Sequence, residues 1–214
     1  DAGGALVEGR VAAGVDRWRV DPLASSLSQG ANRWNYGIAS AKAPMSLDAS
    51  RARRLEYTTT VLAAPREVTG HPVVNIQLSA STANADVYAY LEDVAPDGTS
   101  LLVSEGQLRA AFHRLKPAQD IADPAARLRV RPALPYHGYG KADHDPAPLA
   151  NGRSVTLRFD LMPVAWVFAA GHRIRLSLAG ADDGSFEASP GADNATWQVH
   201  RGPGASALEL PVIP

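Results

Sequence analysis

Apolar and polar residues alternate along several stretches of the 214-residue chain. An alternation of period two is typical of a β-strand that buries one face and leaves the other face in solvent. In the last stretch, Arg173 and Arg175 alternate with Ile174, and we expect the two arginines to face solvent. The alternating stretches that predict strands lie at residues 55–61, 74–80, 87–91, 154–161 and 173–178.

Turn residues stand where such strands need them. Asp97–Gly98 and Asn151–Gly152 each supply a glycine that accepts the positive φ angle of a tight turn. The connections at 116–123, 132–150 and 182–194 are long, and long loops are candidate contact surfaces. Short strands with long connections favour two packed sheets with Greek-key or jelly-roll connections. We predict an all-β, jelly-roll β-sandwich over residues 51–214, with at most a short helix near residues 163–170.

Residues 1–50 have a different composition, rich in glycine, alanine and serine, with weak periodicity. We predict an irregular N-terminal arm here. It carries Trp18, Trp34 and Tyr36, and exposed indole rings are costly in water. These rings are therefore expected to pack on the sandwich or on a partner surface.

Composition and charge exclude several classes of protein. The chain is 45% hydrophobic and has a net charge of −1, which excludes a disordered protein and gives no attraction to nucleic acid or anionic membranes. It has no cysteine, so disulfides and thiolate catalysis are excluded while the compartment stays open. The longest apolar run, 161–171, is too short for a membrane span. We expect no nucleic-acid partner and no membrane partner.

Serine and histidine residues occur, but not in the sequence motifs that surround a catalytic serine. Neither a Gly-x-Ser-x-Gly elbow nor a Ser-x-x-Lys pair is present. The loop 137–145 contains histidines and aspartates, yet its spacing matches no zinc or calcium loop, and Lys141 adds positive charge. We predict no catalytic residue, no metal and no cofactor in this chain. Structural roles are expected for four histidines: His71, His113, His172 and His200.

Aromatic residues in the loops leave two interpretations open. They could stack on sugars, as in many jelly-roll domains, or they could cover the core and meet a partner domain, which we favour. The candidate contact or ligand surface consists of Trp18, Trp34, Tyr36, Tyr136 and Tyr139.

Ordered motifs give a family resemblance over residues 51–214. The motifs are Y-T-T-T at 57–60, V-T-G-H-P at 68–72, A-D-V-Y-A-Y-L-E-D-V-A-P-D-G at 85–98, G-Q-L-R-A at 106–110, G-H-R-I-R-L-S at 171–177 and L-E-L-P-V-I-P at 208–214. This set resembles the C-terminal, non-catalytic domain of the X-prolyl dipeptidyl-peptidase and cocaine-esterase family of serine hydrolases. The segment 16–22 loosely resembles the connection that follows the hydrolase domain in that family, which implies that the arm at residues 1–50 is the remnant of an interdomain junction.

The resemblance implies a galactose-binding-domain-like jelly roll that accompanies a catalytic domain. In the family, the serine, aspartate and histidine of the acyl-transfer reaction belong to an α/β-hydrolase domain that precedes this one. The implied partner is therefore an α/β-hydrolase domain of the same protein, with contacts between copies as a further expectation. The alternatives are a free-standing carbohydrate-binding jelly-roll module and a domain that serves only assembly.

Overall fold

The computed structural model describes residues 3–26, 53–128, 134–188 and 195–214. None of the helices in these ranges is long and apolar enough to span a membrane. The one α-helix described, α1, is the single turn Pro124–Arg127. The strands are β1 (Gly3–Ala5), β2 (Gly14–Arg19), β3 (Leu55–Thr58), β4 (Arg66–Gly70), β5 (Val73–Ala80), β6 (Asp86–Val94), β7 (Ser100–Arg109), β8 (Ser154–Asp160), β9 (Val164–Phe168), β10 (Arg173–Ala179), β11 (Thr196–Arg201) and β12 (Ala207–Glu209).

Two sheets form a jelly-roll sandwich. Sheet A has the order β1-β3-β10-β6-β7, in which β1 is parallel to β3 and the other pairs are antiparallel. In sheet B, β5 lies between β8 on one side and β11 and β12 on the other, and β2 pairs with β11. The antiparallel orders β3-β10-β6-β7 and β2-β11-β5-β8 are those of two interleaved Greek keys. The predicted all-β sandwich is confirmed, whereas the likeness to galactose-binding domains stays a prediction.

The core lies between the inner faces of the two sheets. Leu176 and Leu178 of β10 face Leu78 of β5 and Trp197 of β11 across this layer, and all four are buried. Removal of this apolar surface from water is the main favourable term in folding. The alternating stretches of the sequence therefore identified the inner faces of β5, β6, β8 and β10 correctly.

The two predicted turns have the expected backbone conformations. Gly98 has φ of 91°, and its N–H donates to the Ala95 carbonyl at 2.9 Å. Asn151 and Gly152 have φ of 58° and 73°, and the turn they form leads into β8.

The N-terminal segment differs from the irregular arm that the sequence predicts. Residues 3–5 and 14–19 are strands, which extend sheet A and sheet B at neighbouring edges. Trp18 is only 7% exposed and packs edge-on against Trp197, with ring centroids 5.5 Å apart. The charged Asp16 occupies another inward position and hides the alternation of β2. Trp34 and Tyr36 lie outside the described residues.

Two local predictions were wrong. Val164–Phe168 forms strand β9, paired with β4, where a short helix was expected. Phe168 is fully buried, so pairing with β4 and burial decided the conformation of a short apolar run that is ambiguous by periodicity. Arg175 is 2% exposed, although it was expected to face solvent, because it forms ion pairs with Glu92 and Glu56 on the outer face of sheet A.

Candidate functional site

A serine and a histidine meet on the outer face of sheet B. Ser79 of β5 and His200 of β11 are joined by a hydrogen bond of 3.0 Å between Oγ and Nε2. Within the described ranges, no carboxylate forms a hydrogen bond or an ion pair with His200. A serine triad needs an acid that orients the histidine and stabilises its protonated form. This pair is therefore two polar neighbours on a sheet and lacks the third member of a triad.

Two other histidines bind aspartates. His71 Nδ1 lies 3.0 Å from Asp160, and His172 Nδ1 lies 2.8 Å from Asp93. Asp93 is buried and also accepts a hydrogen bond of 3.0 Å from the indole of Trp166. Asp93 thus connects β6, β9 and the start of β10, which is a structural role.

Polar side chains of the histidine- and aspartate-rich loop at 137–145 form hydrogen bonds with neighbouring segments of the domain. His137 is buried, with one ring nitrogen 3.2 Å from the Arg114 carbonyl and the other 2.8 Å from the Arg158 carbonyl. Asp143 accepts from Lys116 at 3.1 Å, and this bond holds the pKa of its carboxyl below the usual range. No cluster of three metal-ligating side chains occurs in the part of the chain that the structure describes.

The aromatic candidates are distributed over different environments. Trp18 belongs to the core and is unavailable as a surface, while Tyr136 and Tyr139 lie on the connection between β7 and β8. Tyr139 is 67% exposed, and its ring packs against Phe112 at a centroid distance of 5.2 Å. Of the predicted surface, the structure therefore places Tyr136 and Tyr139 in solvent-accessible positions.

Tyr139 borders a cleft of about 470 Å³ beside β6 and β7. Arg109 binds Asp86 through two hydrogen bonds, 2.6 Å from Nε and 3.0 Å from Nη2, and this pairing raises the pKa of the guanidinium. Phe186 packs on Tyr88 in the same cleft, with centroids 5.0 Å apart. Aromatic and charged side chains lie together here without an activated nucleophile, so the cleft is suited to contact rather than to covalent chemistry.

Sequence reasoning missed the charged part of this cleft. Asp86 and Arg109 are directly opposite each other in the β6–β7 hairpin. Counting residues back from the turn at Asp97–Gly98 would have placed Asp86 within one position of Arg109. The remaining error of one residue comes from a bulge between Leu91 and Glu92, which shifts the register of the two strands. Phe186 comes from a distant segment, and no local signal indicates its position.

Known proteins resemble this chain in sequence. A family profile described as the X-Pro dipeptidyl-peptidase C-terminal non-catalytic domain matches residues 16–203. A protein of Mycobacterium bovis that carries the name serine esterase is 37% identical over 201 residues, which are 94% of this chain and 30% of that protein. Cocaine esterase from a Rhodococcus species is 25% identical over 170 residues, which are 73% of this chain and 25% of that enzyme. The chain thus spans about a third of the length of its curated relatives or less.

Solved structures share the fold. An α-amino acid ester hydrolase superposes with a TM-score of 0.67 at 20% identity, over 98% of this chain and 34% of that enzyme. A CocE/NonD family hydrolase from Staphylococcus aureus superposes with a TM-score of 0.63 at 12% identity, over 96% of this chain and 33% of that chain. With the profile match over most of its length, the chain belongs to the family of X-Pro dipeptidyl-peptidase C-terminal non-catalytic domains.

Proposed function

We propose that this chain is the accessory domain of an ester- or amide-cleaving serine hydrolase, that it packs on the α/β-hydrolase domain, and that it helps to shape the substrate pocket. The family match carries the proposal, because the matching relatives are about three to four times as long as the matched region and are named as esterases. The described residues offer a Ser79–His200 pair without an orienting acid, which fits a reactive serine located elsewhere. The names of the relatives favour esters over X-Pro dipeptides as substrates.

The physical contribution of such a domain is binding and water exclusion. A rigid sandwich that carries a long β7–β8 connection can fix one wall of a neighbouring pocket and hold a substrate in a reactive orientation. Closing that pocket also removes water from the reacting groups. Both contributions lower the barrier without any catalytic residue from the accessory domain.

The β7–β8 connection is the surface we assign to the hydrolase contact. Leu115 and Tyr139 expose 50% and 67% of their area there, and Tyr136 lies beside Leu115, where the Tyr136 carbonyl accepts from Lys116 N at 2.8 Å. Aromatic side chains such as those of Tyr136 and Tyr139 are enriched in the centres of protein interfaces. The predicted roles of Trp34 and Tyr36 stay part of this proposal.

A domain exchange in the Mycobacterium bovis relative tests the proposal. Deletion of the matched C-terminal region is expected to lower kcat/KM for simple esters at least tenfold, and insertion of the present chain in its place is expected to restore activity. Tyr139→Ala in the inserted chain should weaken the effect, whereas the exposed Glu67→Ala on β4 should not. An unchanged kcat/KM after deletion, in a folded protein, would contradict the accessory role.

Carbohydrate binding is the second candidate. The observation in its favour is that the exposed Tyr139 ring borders a cleft that also contains Asp86, Arg109 and Gln107, side chains able to bond sugar hydroxyls. A glycan array with the wild-type chain and with Tyr139→Ala tests it. Binding that is lost in the variant supports a sugar-binding module, and an array without hits excludes it for the glycans displayed.

A further inference from the structure

An apolar cavity of about 460 Å³ lies between the two sheets, at the edge formed by β3, the end of β1 and the segment that follows β1. One wall consists of Ile174 and Leu176 from sheet A, and the opposite wall consists of Ile76 and Val199 from sheet B. These four side chains are almost completely buried, while the rim of the cavity opens to solvent. It has the size of a small-molecule site and lies on a different strand edge from the Tyr139 cleft.

The N-terminal segment covers the cavity. The chain runs along sheet A as β1, crosses the open side of the sandwich, and enters sheet B as β2. Leu6 starts the crossing, where its N–H donates to the Thr58 carbonyl at 2.9 Å, and Leu6 and Val11 line the cavity. Glu8 on the crossing forms an ion pair with Arg66. The rim beside Glu8 is exposed to solvent, so a ligand can enter there.

Carboxylates neutralise both arginines of the lining. Asp16 accepts from Arg201 Nε at 3.0 Å and from the Tyr57 hydroxyl at 3.0 Å, and Arg66 pairs with Glu8. Both guanidinium groups of the lining therefore already have a carboxylate partner. A charged ligand would lose its hydration here without finding an opposite charge, which is costly. The occupant that fits is neutral.

The walls between β5, β10 and β11 are mostly aliphatic, whereas the polar Asn75 and Ser206 lie beside β12, where each donates to a backbone carbonyl. A water molecule needs two to four polar partners, so the aliphatic walls bind water poorly. An apolar molecule would regain the dispersion contacts that the facing side chains otherwise lack. We propose that this cavity is a binding site for a small, neutral, apolar molecule, such as an aromatic hydrocarbon or the uncharged body of an aromatic ester. This site is independent of the proposed accessory role.

Titration of the full chain with toluene, followed by NMR of isoleucine δ1 methyl groups, tests the proposal. Ile76 and Ile174 line the cavity, whereas Ile121 is buried in the β7–β8 connection and serves as an internal reference. Saturable shifts are expected at Ile76 and Ile174 but not at Ile121. Benzoate, the charged analogue of similar size, is expected to bind at least tenfold more weakly than toluene.

Variants that fill the cavity test the location of the site, and a variant on an exposed face is the matched control. Val199→Phe places a ring in the cavity and should weaken toluene binding at least tenfold, while Val167→Phe, on the exposed face of β9, should leave it within twofold. If Val199→Phe does not fold, Leu208→Phe on β12 fills the same space from its rim. The proposal is overturned if toluene gives no saturable shift at Ile76 and Ile174, if benzoate binds as well, or if a folded filling variant still binds.

Discussion

The outer faces of sheet A and sheet B have the same secondary structure but opposite environments. On sheet A, Glu92 is fully buried and accepts from Arg175 at 3.4 Å and from the hydroxyl groups of Ser100 and Ser177. On sheet B, the corresponding positions of β8 and β11 carry polar side chains that are exposed or half-buried, such as Thr156 and Gln198. Only sheet B shows the simple alternation of a sheet with one face in solvent.

Alternation in the sequence therefore identifies the inner face of a strand but does not predict whether its outer face is exposed or buried. A polar residue at an outer position is read as exposed, yet on sheet A the polar residues satisfy one another beneath a covering layer. Two side chains of that layer contact the sheet: Asp182 accepts from Tyr90 at 3.0 Å, and Phe186 packs on Tyr88. Sheet A is therefore the middle layer of a thicker structure, whereas sheet B is an outer wall.

Removal of the buried carboxylate on sheet A should have the largest effect. Glu92→Ala leaves two buried hydroxyl groups without their acceptor and removes one of the two carboxylates that pair with Arg175, and we expect a loss of about 3–5 kcal/mol in the free energy of unfolding. Urea denaturation measures this loss. The matched control is Glu209→Ala, which breaks the exposed ion pair with Arg158 on sheet B and should cost less than about 1 kcal/mol. Similar losses for both variants would refute the contrast between the two faces.

Truncation of a buried leucine should lower the free energy of unfolding by a similar amount on the inner face of either sheet. Leu178→Ala in sheet A and Leu157→Ala in sheet B each create a cavity in the common core, and each should cost about 2–5 kcal/mol. Thermal and urea denaturation of the two variants provide the comparison. A cost below about 1 kcal/mol for either leucine would mean that its sheet does not share the core.

The covering layer of sheet A can be tested at Asp182. This carboxylate accepts from the Ser26 backbone N–H at 2.7 Å, from its hydroxyl at 2.6 Å and from Tyr90. Asp182→Ala should cost about 1–3 kcal/mol, because buried donors lose their acceptor. Asp183→Ala, at the adjacent exposed position, should change stability by less than about 0.5 kcal/mol. Equal stabilities of the two variants would show that the layer is not held by Asp182.

The smallest expected effect concerns a hydrogen bond that joins the two sheets. Tyr57 of sheet A donates to Asp16 of sheet B at 3.0 Å, and Tyr57→Phe should cost about 0.5–1.5 kcal/mol at pH 7. Burial, together with the negative charge of Asp16, raises the pKa of the Tyr57 hydroxyl above its ordinary value of 10.0.

The raised pKa predicts the direction of the pH dependence. Below pH 10 the phenol is neutral in both states, so its full contribution to stability is present. Above pH 10 the unfolded chain loses this proton while the folded chain keeps it, and stability falls by about 1.4 kcal/mol per pH unit from this group. Urea denaturation between pH 9.5 and 11 should show a shallower fall for Tyr57→Phe than for the wild type. Parallel curves would contradict the assignment.

Much of the fold could be predicted from the sequence, and the failures have identifiable causes. Strands β5, β6, β8 and β10 carry a clear alternation, so their inner faces follow from local pattern alone. Strand β2 was missed because Asp16 faces inward, where Tyr57 and Arg201 bind it. The burial of Arg175 depends on Glu92, a residue 83 positions away in the chain, which no local pattern reports.

The candidate site was less predictable than the fold. An exposed Tyr139 could be expected from a long polar loop, but Trp18 has the same amphipathic ring and lies in the core. The cleft beside Tyr139 and the cavity at the opposite edge both arise from strand order, which brings together residues that are remote in sequence. Strand order itself depends on the packing of the whole chain rather than on any one segment.

We place the reactive serine outside these 214 residues, and ester hydrolysis by the purified chain tests that location. With 4-nitrophenyl acetate, we predict a rate equal to the buffer blank for the wild type, for Ser79→Ala and for His200→Ala. Turnover above the blank that disappears in Ser79→Ala and His200→Ala would place a catalytic serine in this chain and contradict the account.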